Sequence, residues 1–181
     1  DEKEDAERKI RRLEERTKKL LDDSTKTNKE SRDHLRKLLA DSEKTARDIK
    51  RAIKKLLDDK KDGDEVRRLV EELKKIIDKV LEDNKRLIEE VEKIDKDSND
   101  ENRKLVDDDR RKLEEVRKLV EEGVDVDTLL TEVTDSSRRV EEELKRSNDE
   151  VRRVNREVAE RLKKSNRELE EVLRKVAEDI K

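Results

Sequence analysis

The chain contains no cysteine, proline, methionine, phenylalanine, tyrosine or tryptophan among its 181 residues. Without cysteine it can form no disulfide, thiolate nucleophile or cysteine-ligated zinc site. Without aromatic rings it lacks the platforms on which single-stranded nucleic acid stacks, and the bulky anchors of helices that lie on membrane surfaces. No apolar run is long enough to span a bilayer, and no signal-peptide pattern opens the chain. We therefore expect no nucleic-acid partner and no membrane association.

The residues that are present are mostly charged. Charged residues make up 58% of the chain and hydrophobic residues 28%, and the mean hydropathy is −1.37. Composition of this kind favours disorder when the net charge is high, but here 51 basic residues nearly balance 54 acidic ones. Opposite charges also recur at helix-neighbour spacing, as in Glu71 with Lys75 and Glu142 with Arg146. The charges therefore indicate solvated faces of helices.

Two glycines are the only ones in the chain, and they divide it into three segments. Glycine readily adopts the conformation that ends a helix, so Gly63 and Gly123 predict two short loops. Asp64 is predicted to cap the second helix, and Asp125, in preference to Asp127, the third. The predicted helices run over 2–61, 64–122 and 126–180. Loops this short make neighbouring helices antiparallel.

Apolar residues recur at spacings of three and four along each segment, which is the signature of a helical stripe. The stripe of the first helix begins with Ala6, Ile10 and Leu13, and that of the second with Val66, Leu69 and Leu73. Each stripe drifts slowly around its helix, as expected for helices with little supercoil. The sequence thus predicts an all-α fold, a long and nearly straight antiparallel three-helix bundle, forming a single elongated domain over 1–181.

A polar cassette occurs twice in each segment, always 18 residues apart, which is five helical turns. Folding at the loops places residue i near 124 − i on the second helix and near i + 124 on the third. The copies then meet at two heights, where small polar side chains need hydrogen-bond partners. The first predicted layer contains Ser24, Thr27, Asn102, Ser147 and Asn148, and the second Ser42, Thr45, Asn84, Ser165 and Asn166.

Further polar residues align by the same rule. Asn28 and Ser31 are predicted to lie level with Asn155 on the third helix and with Asp95, Ser98 or Asn99 on the second. Thr17 is predicted to lie level with Asp109 and with Ser137 or Thr134. Since burial of a charge is costly, we expect Asp95 and Asp109 at the edge of the apolar seam, in contact with water.

Chemistry at a reactive site has little support in the sequence. His34 is the only histidine and has no evident nucleophile or orienting partner, so we expect it to be structural or exposed to solvent. One histidine also cannot supply the paired motifs of a metal-binding bundle. We expect no catalytic residue, no cofactor, no metal and no small-molecule substrate.

The doubled cassettes and the two glycine loops resemble de novo designed helical bundles built with modular buried hydrogen-bond networks. That resemblance implies high thermal stability and use as an oligomerisation or switch module. We expect a structural and assembly protein whose Ser, Thr and Asn networks specify helix register and partner choice. The alternative is a three-helix part of a homo- or hetero-oligomer that accepts a further helix. The expected partner is another copy of the chain or a designed partner chain.

Overall fold

A computed structural model describes the backbone of residues 1–60 and 63–180, and their side chains except at positions 59, 60, 65, 179 and 180. It contains helices α1 (Glu2–Lys60), α2 (Asp64–Glu121) and α3 (Val126–Ile180), and no strand within those residues. All three helices pack against each other, so the predicted all-α three-helix bundle is confirmed. The predicted end of the first helix at residue 61 lies outside the described residues, and α2 ends at Glu121, one residue earlier than predicted.

The starts of α2 and α3 are each set by the capping residue that precedes the first helical residue. Asp125 caps α3, because its carboxylate accepts a hydrogen bond of 2.7 Å from the Thr128 hydroxyl while its carbonyl accepts the first helical bond, from the Leu129 amide. The prediction for Asp64 was wrong. The first bond of α2 runs from the Arg67 amide to the Gly63 carbonyl, so Gly63 holds the capping position and Asp64 is the first helical residue.

The end of α2 confirms the predicted role of Gly123. The Gly123 amide donates to the Val120 carbonyl at 3.1 Å, and the Val124 amide donates to the Leu119 carbonyl at 3.2 Å. These two bonds form a Schellman motif, which satisfies carbonyls that the helix leaves open. Gly123 has a φ of 81°, a backbone conformation that side chains with a Cβ rarely adopt.

The chain forms two compact units. Unit 1 comprises residues 1–29 and 93–153, and unit 2 comprises residues 30–92 and 154–181. The core of unit 1 includes Ile10, Leu113 and Val133. Among its described residues, unit 2 has one core cluster around Leu35 and Leu162 and another that contains Ile49, Ile53, Ile77 and Leu169. Burial of each such side chain stabilises the fold by about 1.5–3 kcal/mol.

Two stretches contribute no buried apolar side chain. Between residues 22 and 34 of α1, only Ser24 and Asn28 are buried, and between residues 95 and 104 of α2 only Asp95 and Asn102 are buried. At these stretches α1 and α2 therefore contribute only polar side chains to the buried interior.

Candidate functional site: polar pairs between the helices

In unit 2, one polar pair joins α1 to α3. The Ser42 hydroxyl donates to the Asn166 side-chain oxygen, and the Asn166 amide nitrogen donates to the Leu38 carbonyl at 3.2 Å. Ser42 has no exposed surface, and its hydroxyl also lies 3.2 Å from the Leu38 carbonyl oxygen of its own helix. The two residues differ by 124 positions, which is the offset expected from the loops.

A second pair in unit 2 joins α2 to α3. The Asn84 amide nitrogen donates to the Ser165 hydroxyl at 2.9 Å, and both side chains are half-buried. Asn84 and Ser165 line an open groove of about 610 Å³ between α2 and α3, together with Val80 and Leu87. The fifth residue predicted for this layer, Thr45, bonds only to the Asp41 carbonyl of its own helix, at 3.0 Å.

In unit 1, the residues of the first predicted layer are only partly joined. Ser24 and Asn102 are buried, while Thr27, Ser147 and Asn148 are half-buried. Ser147 pairs with Ser98, with 2.8 Å between the two hydroxyl oxygens. The amide nitrogen of Asn102 and the side-chain oxygen of Asn148 are buried, and neither has a hydrogen-bond partner among the described residues.

Unit 1 also contains a pair that the predicted layer omits. The Thr25 hydroxyl lies 3.0 Å from the Leu21 carbonyl oxygen and 3.1 Å from the side-chain oxygen of Asn99. The loop rule contained the signal for this contact, because 124 − 25 gives 99. The prediction instead grouped Asn99 with Asn28, Ser31 and Asn155. Asn28 and Asn155 are buried and Ser31 is half-buried.

Asp109 lies inside unit 1, where the Ser137 hydroxyl is 3.1 Å from each of its carboxylate oxygens. Asp109 is 3% exposed and Asp95 is 2% exposed, so the expectation that both would contact water at the seam edge was wrong. Burial raises the pKa of Asp109 above its ordinary value, although the Ser137 hydrogen bond and Lys112 oppose the rise. Thr17, predicted at this level, is buried but bonds to the Leu13 and Glu14 carbonyls of its own helix.

Arg117 joins α2 to α1 at the surface of unit 1. Its guanidinium donates to Glu7 at 3.0 Å and to Glu14 at 3.1 Å, and it also contacts Glu114 on its own helix. Burial lowers the pKa of Arg117, but the hydrogen bonds to Glu14, Glu7 and Glu114 outweigh burial and raise it overall. A guanidinium shared by several carboxylates favours one arrangement of the two helices.

His34 is exposed to solvent. Within the described part of the chain, no group of three or more His, Cys, Asp or Glu side chains is placed to hold a metal ion. Among the same residues, no helix combines the length and the apolar character needed to cross a membrane. The polar contacts between helices are therefore the arrangement that we consider for function.

Comparison of the chain with protein-family models, with curated proteins and with solved structures finds no match.

Proposed function

We propose that this chain is a de novo designed structural and assembly protein, and that its interhelical Ser, Thr and Asn pairs specify helix register and partner choice. The observation that supports this most directly is the pair of contacts in unit 2, Ser42 with Asn166 and Asn84 with Ser165. Neighbouring residues of α3 thus bond to two different helices. Asn166 bonds to α1 and Ser165 bonds to α2, so α3 is held to both neighbouring helices at the same height.

The physical basis is the cost of a misplaced polar group. A buried donor or acceptor without a partner costs about 1–3 kcal/mol, whereas a satisfied pair adds only about 1 kcal/mol. Any alignment that separates Asn166 from α1 would leave its half-buried amide without Ser42 and the Leu38 carbonyl, whereas the Ser42 hydroxyl would keep the Leu38 carbonyl of its own helix, 3.2 Å away. The pairs therefore act chiefly by penalising alternatives, which is the best-attested use of buried polar residues.

The composition agrees with a designed origin. The apolar part of the described core consists of Ala, Val, Ile and Leu, and the exposed faces carry mostly Asp, Glu, Lys and Arg. These are the residues that designers prefer for helical cores and surfaces, because they have well-defined rotamers and high helix propensity.

Replacement of Asn84 and Asn166 together by leucine tests the proposal. We expect a higher thermal midpoint, by about 2–4 °C for each kcal/mol gained, since leucine replaces half-buried amides between the helices while the Ser42 hydroxyl keeps the Leu38 carbonyl as a partner. We also expect loss of uniqueness, seen as more than one set of backbone amide signals in NMR or more than one assembly in native mass spectrometry. Circular dichroism gives the midpoint.

Thr45→Ala is the matched control, because the Thr45 hydroxyl bonds only within its own helix. It should leave both the midpoint and the number of species almost unchanged. A leucine variant that keeps one set of signals and one assembly would contradict the proposed role in specificity. A leucine variant that fails to fold would show that the amides are required for folding itself.

A second function is that of a three-helix part which accepts a further helix from another chain or copy. One observation favours it: Leu69 and Ile76 on α2 are 61% and 59% exposed, in a chain with few exposed large apolar side chains among the described residues.

A further inference from the structure

One face of α2 in unit 2 is apolar and open. We call Leu69, Leu73, Ile76 and Val80 the open face. The spacings of four, three and four residues place these side chains in one stripe along α2. Leu69 is 61% exposed and Ile76 is 59% exposed. Leu73 is half-buried and packs against the core cluster that contains Ile77, and the half-buried Val80 lines the groove between α2 and α3, so both contribute only their outer parts to the face. The stripe has the pattern by which a helix packs against a further helix.

Charged residues flank the open face in a particular order. Arg68, Glu72, Lys79 and Asp83 are all exposed, and none of them forms an ion pair with a described side chain. Their signs along α2 are positive, negative, positive, negative, and the exposed Lys75 between Glu72 and Lys79 stands outside this order. The order of charges is therefore reversed about a point between residues 75 and 76. Residues 68 and 83 are equally far from that point and have opposite charges, and so do residues 72 and 79.

We propose that the open face binds the open face of a second copy of this chain, antiparallel about a two-fold axis near residue 75. In that arrangement Arg68 of each copy meets Asp83 of the other, and Glu72 of each meets Lys79 of the other. The interface contains four ion pairs. Leu69 packs opposite Val80, and Leu73 opposite Ile76, which gives four apolar layers because the contacts are repeated by the symmetry.

The charges favour this occupant over others. A parallel, in-register copy would place the charged flank of each helix beside the other flank of its partner, so these four ion pairs would not form. Binding of an unrelated helix would not explain why the charges on this chain are complementary to themselves when the helix direction is reversed. The inference rests on the proposed function, in that it names the partner, but it uses none of the Ser, Thr or Asn pairs.

The interface is small, so we expect a dimer that dissociates on dilution. Four helical turns on each side bury less than the area of about 1,200 Å² at which stable interfaces begin. Exposed ion pairs contribute about 0.2–1 kcal/mol each, so their larger effect is on orientation. Sedimentation or light scattering on a dilution series should show a mass that rises from 21.6 kDa towards twice that value.

Single charge reversals give the decisive experiment. Glu72→Lys alone and Lys79→Glu alone each create two like-charge contacts across the axis, so each should weaken self-association on the order of tenfold. An equimolar mixture of the two variants should restore association, because each reversed charge then meets its opposite on the other variant. The double variant E72K/K79E should also self-associate like the original chain.

Glu89→Lys is the control, because Glu89 is exposed on α2 but lies away from the open face. It should leave self-association unchanged, and circular dichroism should show the same helicity for every variant, since all substituted residues are exposed. Failure of the mixture to associate, or a wild-type mass of 21.6 kDa at every concentration, would overturn the proposed interface. The proposed role of the Ser, Thr and Asn pairs has a separate readout, which is the uniqueness of the N84L/N166L variant.

Discussion

Asp109 carries a carboxyl group into the interior of unit 1, where Ser137 is its hydrogen-bond donor. The Ser137 hydroxyl has one proton to share between two carboxylate oxygens, each at 3.1 Å. Glu14 and Glu141 add repulsion that raises the pKa of Asp109 beyond the effect of burial, while Lys112 lowers it. The folded state therefore binds a proton at this site more tightly than the unfolded chain does.

Asp109→Asn should stabilise the protein at neutral pH. An acid whose pKa is raised on folding lowers stability as pH increases from the unfolded pKa, near 3.9, through the folded pKa. Removal of the charge therefore helps most at pH 7, and the benefit should shrink as pH falls towards 3.9. Thermal midpoints measured by circular dichroism at both pH values check this, with a shift of about 2–4 °C per kcal/mol.

The exposed Asp107 provides the matched control for this substitution. Asp107→Asn should change the midpoint little at either pH, because its carboxylate is already solvated. A decrease in the midpoint for Asp109→Asn at pH 7 would show that the ionised pair with Ser137 stabilises the fold, contrary to the direction expected from burial.

At the scale of the helix, α1 differs along its length in what it buries. Residues 6–13 bury Ala6, Ile10 and Leu13, and residues 46–53 bury Ala46, Ile49 and Ile53. Between residues 22 and 34 it buries only Ser24 and Asn28. Burial of apolar side chains raises the free energy of local opening. We therefore expect the free energy of opening to be lowest in this middle stretch.

We expect amides in residues 22–34 of α1 to exchange hydrogen faster than those in residues 6–13 and 46–53. Hydrogen exchange followed by NMR or mass spectrometry measures this directly. Asn28→Leu should slow exchange in the stretch, because it adds apolar burial at a position that is 7% exposed. Lys26→Leu, at an exposed position, serves as the control and should not. Uniform protection along α1 would refute the expectation.

Much of the fold could be predicted from the sequence, because strong local signals set it. Gly123 and Asp125 determine where α2 ends and α3 begins, and the residue type at each position is enough to indicate its role in the loop. The bond between Ser42 and Asn166 follows from loop length alone, since short loops fix the offset between helices. The loop depends on a few residues that are close together in the chain, and the bond between Ser42 and Asn166 depends on the lengths of the helices and loops that separate them.

The choice of partner within a layer could not be predicted. Thr45 and Thr17 have a carbonyl of their own helix within reach, and a threonine hydroxyl bonds there without needing another helix. Ser147 bonds Ser98, although the loop rule would place residue 150 opposite 98. A shift of three residues is one turn, which a sequence offset cannot resolve. The burial of Asp109 also depends on packing that the pattern does not contain.

For the molecule as a whole, the dense charge is balanced only while the carboxylates are ionised. The chain has 54 acidic and 51 basic residues. Hydrogen bonds lower the pKa of Asp125 through Thr128, of Glu150 through Arg153 and of Glu171 through Arg174. An acid whose pKa is lowered on folding contributes stability above its unfolded pKa, and that contribution is lost as pH falls through the folded pKa.

Acidification to pH 2 at low ionic strength should therefore reduce helicity. Protonation removes the attraction of the carboxylates and leaves 51 basic residues to repel one another along the helices. Addition of about 1 M salt, which shortens the screening length to about 3 Å, should restore much of the helical signal. Circular dichroism at 222 nm follows both steps, and the same salt at pH 7 should change the signal little. A signal independent of pH at low salt would contradict this view.

The loop before α3 has a consequence for chirality. The backbone of Gly123 adopts a φ of +81°, and no atom lies within 4 Å of the point to which a methyl group would project. What disfavours alanine there is thus handedness rather than lack of room. The mirror-image residue, D-alanine, has that dihedral as its natural preference. Chemical synthesis could place it at this turn, where it would restrict the unfolded chain while leaving the folded one undisturbed.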